Sequence, residues 1–337
     1  MADSGHCVVV KLTAMAGQFW TKYSTARGLI LLILLVTAAA CGGGGDSGGV
    51  DSVGGGGDIG GSGGEPTGQL SIAITDAPVD YATEVVVTID AVELKPTDGT
   101  PVLIEFDARQ IDLLFLQDGA STVILNRETV PAGEYDWIRL QLHGDPGTVD
   151  DSYVMFEDGS MHPLVIPSFD QNGLKLVSGF VVPVNGHGSY TLEVDLRAAL
   201  HAPPGQNGDF FLRSALRIVD NTMVGEIAGT VSSDLIDGDA ECTSGNAVYV
   251  YEGFDVIPDD VDLVDSDDAE PVTSSIVKLN ETTGDYEYVA AFLHAGDYTV
   301  AFTCQAGDDD PDLDDAIIFT AMDNATVVAG ETTIVHL

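Results

Sequence analysis

Runs of residues in which every second position is apolar recur between positions 70 and 219 of the chain. In the first run Leu70, Ile72 and Ile74 alternate with small or polar residues, and the run ends at a Thr-Asp-Ala-Pro turn. A period of two predicts a β-strand with one buried face. Many such runs separated by Gly- and Pro-containing turns favour an antiparallel sandwich or barrel. Further strands are predicted at 84–94, 102–106, 135–142, 153–156, 179–184, 190–196 and 211–219, with short helical pieces at 111–116 and 197–200.

The predicted strand at 84–94 has a break in its pattern. Val85, Val87 and Ile89 share one face. Val92 and Leu94 fall on the other parity. One extra residue in a strand shifts the alternation in this way. The sequence therefore predicts a β-bulge at residues 90–91.

One apolar run near the start of the chain is unbroken. It covers 29–36, follows basic residues and leads through alanines to Cys41, which is the layout of a secretory signal. The run is too short for a permanent membrane helix, which needs about 20 apolar residues. The alanines before Cys41 and the glycines after it resemble the lipobox of bacterial lipoproteins, although Ala38 stands where that motif usually has Leu. The resemblance implies a lipoprotein signal peptide at 1–40 and a lipidated, palmitate-bearing Cys41.

An ordinary cleaved signal that happens to end near a cysteine is the alternative interpretation. Gly42, rather than Asp, resembles lipoproteins that travel on to the outer membrane. We therefore expect a cell-envelope protein whose Cys41 lipid enters the outer membrane, on its periplasmic or surface face. A translation start at Met15 would give a leader of normal length. The Gly-rich stretch 41–67 predicts a disordered, flexible tether with a reach of about 25 to 30 Å.

The first folded domain is predicted at 68–221. Its Thr-Asp-Ala-Pro turn is followed in order by PAGEYDWIRLQL at 131–142, YTLEVDLRAAL at 190–200 and FLRSALRIV at 211–219. These motifs resemble the bacterial lipoprotein domains catalogued as domain-of-unknown-function family 4382, over about residues 68–220. The resemblance implies a β-rich extracytoplasmic module and brings no catalytic residue.

The second domain is predicted at 222–337. Its stretch YEYVAAFLHAGDYTVAFTC, 286–304, is similar to the carboxypeptidase-regulatory-like, prealbumin-like sandwich modules. Tyr298, Val300 and Phe302 point one way, which predicts a core face. The fold class expected for the whole chain is all-β, with two antiparallel β-sandwich-like domains after the signal peptide and the tether.

The balance of charge excludes one class of partner. Lys and Arg number 12 against 54 Asp and Glu, which gives a net charge of −42. So acidic a protein repels the phosphates of nucleic acid, so a nucleic-acid partner is excluded. Residues 222–337 hold 26 acidic residues and one basic residue, Lys278. A solvated surface is the ordinary reason for such acidity, and cation binding is the alternative.

Two cysteines lie in the predicted domains, Cys242 and Cys304. An exported protein reaches an oxidising compartment, where a pair of this kind forms a disulfide. We therefore predict one bridge between them.

Two acidic loops are predicted between the strands of the second domain, at 258–271 and 307–315, and the second is the denser. Asp308, Asp310 and Asp312 copy the one-three-five ligand spacing of a calcium loop. Leu313 stands where the EF-hand turn needs Gly, and Phe319 stands where the bidentate Glu belongs. The run is therefore not an EF-hand, and it supports only a hypothesis of weak calcium binding through these three aspartates.

No sequence motif for catalysis stands out. The histidines are scattered singly, and neither an H-E-x-x-H nor a C-x-x-C motif occurs. Pairs of carboxylates are uninformative because acidic residues are so abundant. The sequence favours a non-enzymatic protein with a structural, adhesive or ligand-binding role and an unknown protein or glycan partner. The alternative is a secreted carbohydrate-active hydrolase with accessory β-sandwich modules.

Overall fold

The computed structural model describes residues 65–77, 79, 81–166, 173–201, 208–238, 242–262, 264 and 268–337. All of them lie within one compact unit that spans residues 62–337. The predicted signal peptide, the Met15 start, the lipidated Cys41 and most of the tether lie outside the described residues. No helix within the described ranges has the length and apolar character needed to cross a membrane.

Residues 67–220 form the part of the fold that we call the first module. Its strands are β1 (Thr67–Ala77), β2 (Glu84–Pro96), β3 (Val102–Asp112), β4 (Thr122–Pro131), β5 (Gly133–His143), β6 (Tyr153–Met155), β7 (Met161–Val165), β8 (Leu174–Leu176), β9 (Phe180–Val182), β10 (His187–Asp195), β11 (Leu200–His201), β12 (Phe210–Leu212) and β13 (Leu216–Asp220). A 3-10 helix covers Leu113–Leu116, and the short helix α1 covers Leu196–Ala199. Both short helices lie where the sequence predicted helical pieces.

The described strands of the first module form two sheets. A four-stranded sheet has the order β13-β10-β1-β4, and a larger sheet has the order β11-β12-β7-β6-β2-β5-β8, with β3 beside β2 and β9 beside β5. Leu70, Ile72 and Ile74 of β1 are buried in the shared core, as their alternation predicted. β1 and β10 pair in parallel, which is a departure from the antiparallel pattern.

The predicted bulge in β2 is confirmed. The register shifts between Ile89 and Ala91 in the pairing of β2 with both β3 and β5. Ile89, Val92 and Leu94 are all fully buried in one core despite their different parity. The bulge therefore returns the apolar residues of both halves of the strand to the same face.

Two parts of the first module differ from the sequence-based expectation. Strand β4 was not predicted, because its apolar residues do not alternate. The structure gives Arg127 within it a positive φ of 54°. The single strand expected at 211–219 is two strands, β12 and β13, which belong to different sheets. The chain passes from one sheet to the other between them.

Residues 224–336 form the second module. Its elements are β14 (Val224–Val231), the short helix α2 (Ser233–Ile236), β15 (Ala247–Glu252), β16 (Thr273–Ile276), β17 (Lys278–Leu279), β18 (Tyr286–His294), β19 (Gly296–Thr303), β20 (Phe319–Val327) and β21 (Thr332–His336). They form two four-stranded sheets with the orders β17-β18-β14-β21 and β16-β15-β19-β20. The expectation of an all-β chain with antiparallel-rich sandwich domains is confirmed.

Strand β15 is buried on both faces. Val248 and Val250 pack in the core between the two sheets, together with Val300 and Phe302 of β19. The residues of opposite parity in β15 pack in a second cluster. Its other buried members come from β19, from the loops after β15 and β19 and from α1 of the first module. The outer face of this sheet is therefore covered partly by the acidic loops and partly by the first module.

Basic side chains bond across the boundary between the two modules, which we call the seam. The contacts are Arg197 to the Ala306 carbonyl, Arg213 to Asp312, Arg217 to the Phe292 carbonyl and Lys278 to Asp118. Of the 12 Lys and Arg in the chain, three precede Cys41, so four of the remaining nine bond across the seam. A scarce residue type is therefore concentrated where the modules meet.

The predicted disulfide is present. Cys242 and Cys304 are bonded, and their Cα atoms lie 4.9 Å apart. Cys304 directly follows β19 and Cys242 precedes β15, and the pairing of Ala247 with Thr303 holds these strand ends together. The bridge therefore closes one end of the second module beside its core.

Candidate functional site

The two acidic loops of the second module converge on a set of aspartates that we call the carboxylate cluster. Its members are Asp259, Asp260, Asp262, Asp309 and Asp315. Single carboxylate oxygens of Asp260, Asp309 and Asp315 all lie within 4.8 Å of one another, and the same holds for Asp259, Asp260 and Asp262. Asp260 belongs to both groups, so it lies at the point where the two loops meet.

The fold positions these side chains through the outer face of β15. The hydroxyl of Tyr249 donates a hydrogen bond to Asp309, and the amide of Val261 donates to the same carboxylate at 3.3 Å. The amide of Asp315 donates to Oδ2 of Asp260 at 2.5 Å. Each loop is thus held by bonds to the other loop or to the strand beneath it.

Two carboxylate oxygens of the cluster accept no hydrogen bond from the described residues. Oδ1 of Asp260 and Oδ2 of Asp262 are buried without a hydrogen-bond partner among the described residues. Asp260 as a whole is 1% exposed and Asp262 is 5% exposed. Buried polar groups in proteins are nearly always bonded, so these two oxygens call for a ligand or for water.

Burial also changes the acidity of the cluster. Loss of solvation raises the pKa of Asp260 to about 6, and the neighbouring Asp309 and Asp259 act in the same direction. Loss of solvation likewise raises the pKa of Asp309 to about 6, although the bond from Tyr249 and the charge of Arg197 oppose it. Ionisation of Asp260 and Asp309 is therefore less favourable than that of exposed aspartates, and a positive charge beside them would favour it.

The aspartates of the sequence-based calcium hypothesis lie elsewhere. Asp308, Asp310 and Asp312 are exposed, and they do not belong to either group of converging carboxylates among the described residues. Asp312 instead accepts a hydrogen bond from Arg213 at 2.8 Å across the seam. Asp309, between the first two, is the residue that turns inward, so the structure brings together a different set of aspartates from the one-three-five spacing. No sequence pattern marks Asp309 or Asp260, since their neighbours are also acidic.

A second set of buried carboxylates lies at the end of β1. Burial, and then the charge of Asp195, raises the pKa of Asp76 well above its usual value, and burial raises the pKa of Asp195 to about 6. Asp76 lines a cavity of about 20 Å³ together with Glu193 and residues of the second module such as Ser274. That volume holds a single water molecule and no sugar ring.

The larger described cavities do not contain the perturbed carboxylates. Cavities of about 350 Å³ and 470 Å³ both lie beside Thr97, Glu134 and Tyr135. Neither is lined by Asp195, Asp260 or Asp309. A glycoside hydrolase needs two carboxyl groups about 5 to 10 Å apart on either side of a sugar-sized cleft. The acidic residues that line these two cavities are Glu65, Asp98, Glu134 and Asp136, so the buried aspartates described above do not face a sugar-sized cleft there.

Two histidines contact hydroxyl groups. Nε2 of His187 lies 2.9 Å from the hydroxyl of Ser71, and Nδ1 of His336 lies 2.9 Å from that of Thr230. Each pair joins neighbouring parallel strands at an exposed position. The hydrogen bonds of the described residues give neither histidine a carboxylate partner, so the third member of a catalytic triad is not among them.

The family comparison covers the first module. Residues 67–214 match the family described as "Domain of unknown function (DUF4382)". The match confirms the resemblance seen in the Thr-Asp-Ala-Pro and PAGEY motifs. No curated protein matches the chain at a significant level.

Solved structures show only a distant likeness. A leucine-rich repeat protein from Bacteroides thetaiotaomicron is 13% identical, with 81% of this chain and 26% of that chain covered and a TM-score of 0.20. The minor pilin GBS52 of Streptococcus agalactiae is 11% identical, with 79% and 94% covered and a TM-score of 0.17. A putative cell adhesion protein from Parabacteroides distasonis is 11% identical, with 78% and 84% covered and a TM-score of 0.19. This chain spans about a quarter of the first of these proteins. Likenesses with such TM-scores establish no shared function.

Proposed function

We propose that the protein is a non-enzymatic, lipid-anchored component of the bacterial cell envelope, in which two β-sandwich modules act as one rigid body. It would hold an acidic surface away from the membrane and bind a protein or glycan partner there. The lipid on Cys41 would retain the chain at the outer membrane. The Gly-rich tether at 41–67 would give the modules a reach of about 25 to 30 Å.

The observation that carries this proposal is the seam. Arg197 is only 3% exposed, and it donates to the Ala306 carbonyl of the second module. Burying a charge is unfavourable unless it is bonded, so this contact has a function in keeping the modules together. A fixed junction of this kind supports a role in which the two modules together present one surface to a partner.

The first experiment tests the anchor. Cells that express the full-length wild type or Cys41→Ser are labelled with radioactive palmitate and separated into soluble, inner-membrane and outer-membrane fractions. We expect label and protein in the outer membrane for the wild type, and neither for the variant. Equal labelling, or release of the wild type into the soluble fraction without detergent, would refute the anchored role.

The second experiment tests the absence of catalysis. The purified protein is incubated with a panel of polysaccharides and chromogenic glycosides, and the release of reducing ends is measured. We expect no release above a heat-denatured control. Turnover that is lost in Asp260→Asn or Asp195→Asn would establish a hydrolase and overturn the proposal.

A further inference from the structure

We propose that Asp260, Asp309 and Asp315 form a binding site for a calcium ion that joins the two acidic loops of the second module. The site is independent of the lipid anchor and of any partner of the protein. It differs from the set Asp308, Asp310 and Asp312 that the sequence spacing indicated.

The spacing of the carboxylate oxygens fits one ion of this size. Calcium binds oxygen ligands at about 2.3 to 2.6 Å, so two oxygens on the same ion are at most about 5 Å apart. One oxygen from each of the three aspartates meets this condition, since all lie within 4.8 Å of one another. Magnesium is usually bound through one or two carboxylates and keeps several waters, so a set of three carboxylates suits calcium better. The ligands are all oxygen, which suits calcium rather than zinc.

A buried oxygen without a partner supplies the second, independent observation. Oδ2 of Asp260 already accepts the amide of Asp315, whereas Oδ1 has no partner among the described residues. Asp260 is 1% exposed, so Oδ1 lacks the water that would solvate it at a surface. Oδ2 of Asp262, on the same loop, is also buried without a hydrogen-bond partner among the described residues. An ion at the meeting point of the loops would satisfy Oδ1 of Asp260.

The charges around the site also favour a cation. Among the described residues no salt bridge reaches Asp260 or Asp315. The charge of Arg197 acts on Asp309, but its guanidinium also bonds the Ala306 carbonyl. Three carboxylates held this close repel one another, and a divalent cation relieves all three repulsions at once.

The ion would stabilise the seam between the modules as well as the two loops. Asp309 accepts the hydroxyl of Tyr249, and the ring of Tyr249 lies 5.3 Å from the guanidinium of Arg197 in the first module. An ion that holds Asp309 in place would therefore hold Tyr249 and the seam contact above it. Calcium would therefore rigidify the two modules together.

The test compares thermal midpoints of the full protein, purified in detergent, in calcium chloride and in sodium chloride of equal ionic strength. We expect about 5 mM calcium to raise the wild-type midpoint by about 2 to 4 °C above the sodium control. EDTA should reverse the rise. Asp260→Asn and, separately, Asp315→Asn should lose most of it, and either variant suffices if the other does not fold.

The matched control is the double variant Asp308→Asn/Asp310→Asn, which removes two exposed charges from the same loop. Simple screening predicts that this variant loses more of the calcium response than Asp260→Asn, because it loses more charge. The proposed site predicts that it keeps the response. Equal calcium and sodium effects in the wild type, or a loss in the double variant as large as that in Asp260→Asn, would overturn the proposal.

Terbium gives a direct binding measurement. It takes the place of calcium at oxygen sites, and a tyrosine close by sensitises its luminescence. Tyr249 donates a hydrogen bond to Asp309, so excitation of this tyrosine should produce luminescence from terbium bound at the site. We expect sensitised emission that calcium displaces in the wild type and in Asp308→Asn/Asp310→Asn. Undiminished emission from Asp260→Asn would contradict the assignment.

Discussion

The guanidinium carbon of Arg197 in the first module lies 5.3 Å from the centre of the Tyr249 ring in the second. Arg197 also donates to the Ala306 carbonyl and, at 3.4 Å, to the hydroxyl of Ser274. One buried cation is thus surrounded by three residues of the other module. In a chain of net charge −42, this contact joins the modules without adding to the acidity at the seam.

We predict that Arg197→Met lowers the free energy of unfolding by about 2 to 4 kcal/mol. The variant loses the hydrogen bonds of a buried charge and leaves the Ala306 carbonyl unpaired. The measurement is urea unfolding followed by tyrosine fluorescence and circular dichroism. The two probes should separate in the variant as the modules begin to unfold independently.

Arg213→Met is the matched control for the seam. Arg213 and Asp312 form an ion pair across the same boundary, but both side chains are about half exposed. Exposed pairs contribute about 0 to 1 kcal/mol, so the loss should be small. Equal losses in both variants would show that the burial of Arg197 is unimportant.

Removal of the disulfide should destabilise the second module. The bridge spans 62 positions, and closing a loop of that length stabilises by about 4 kcal/mol in the chain-entropy model, as an upper figure. We expect Cys242→Ser/Cys304→Ser to lower the free energy of unfolding by about 2 to 4 kcal/mol. Reductant should lower the free energy of unfolding of the wild type to the value of the double variant, and it should leave the double variant unchanged. Two free thiols at these positions in unfolded, unreduced protein would show that the bridge does not form.

Stability should rise as the pH falls from 7 to about 5. The pKa values of Asp195, Asp260 and Asp309 are raised to about 6 in the folded state, from an ordinary value of 3.8. The folded protein therefore binds more protons than the unfolded chain between about pH 4 and pH 6. The stability that these groups contribute is present below pH 4 and is lost as the pH rises through 6. Relief of the large net negative charge acts in the same direction.

Thermal midpoints at pH 5, 6 and 7 in EDTA test this pH dependence, with a rise of several degrees expected at pH 5. Asp260→Asn should show a smaller rise, whereas the exposed Asp308→Asn should show the rise of the wild type. In calcium the slope should flatten, because the ion binds the ionised carboxylates and competes with protons. A midpoint that falls steadily from pH 7 to pH 5 would mean that positive charges in the folded protein already stabilise the ionised form of these carboxylates.

Local patterns in the sequence predicted much of the fold. Alternation identified β1 and the core face of β19, and the change of parity after Ile89 identified the bulge in β2. Such features depend on residues within one strand, so they can be read from neighbours in the chain. Strand β4 was missed because its pattern is irregular around Arg127, where pairing with β1 rather than alternation defines the strand.

The sequence by itself determined that the chain is all-β, that Cys242 and Cys304 pair, and that two acidic loops lie in the second module. It could not determine which aspartates meet. That depends on how two loops, far apart in the chain, fold over the outer face of β15, and only there does Asp309 turn inward to Asp260 while its neighbours face solvent. The placement of Arg197 at the seam is equally a result of tertiary structure, because its partners come from the other module and no local pattern records them.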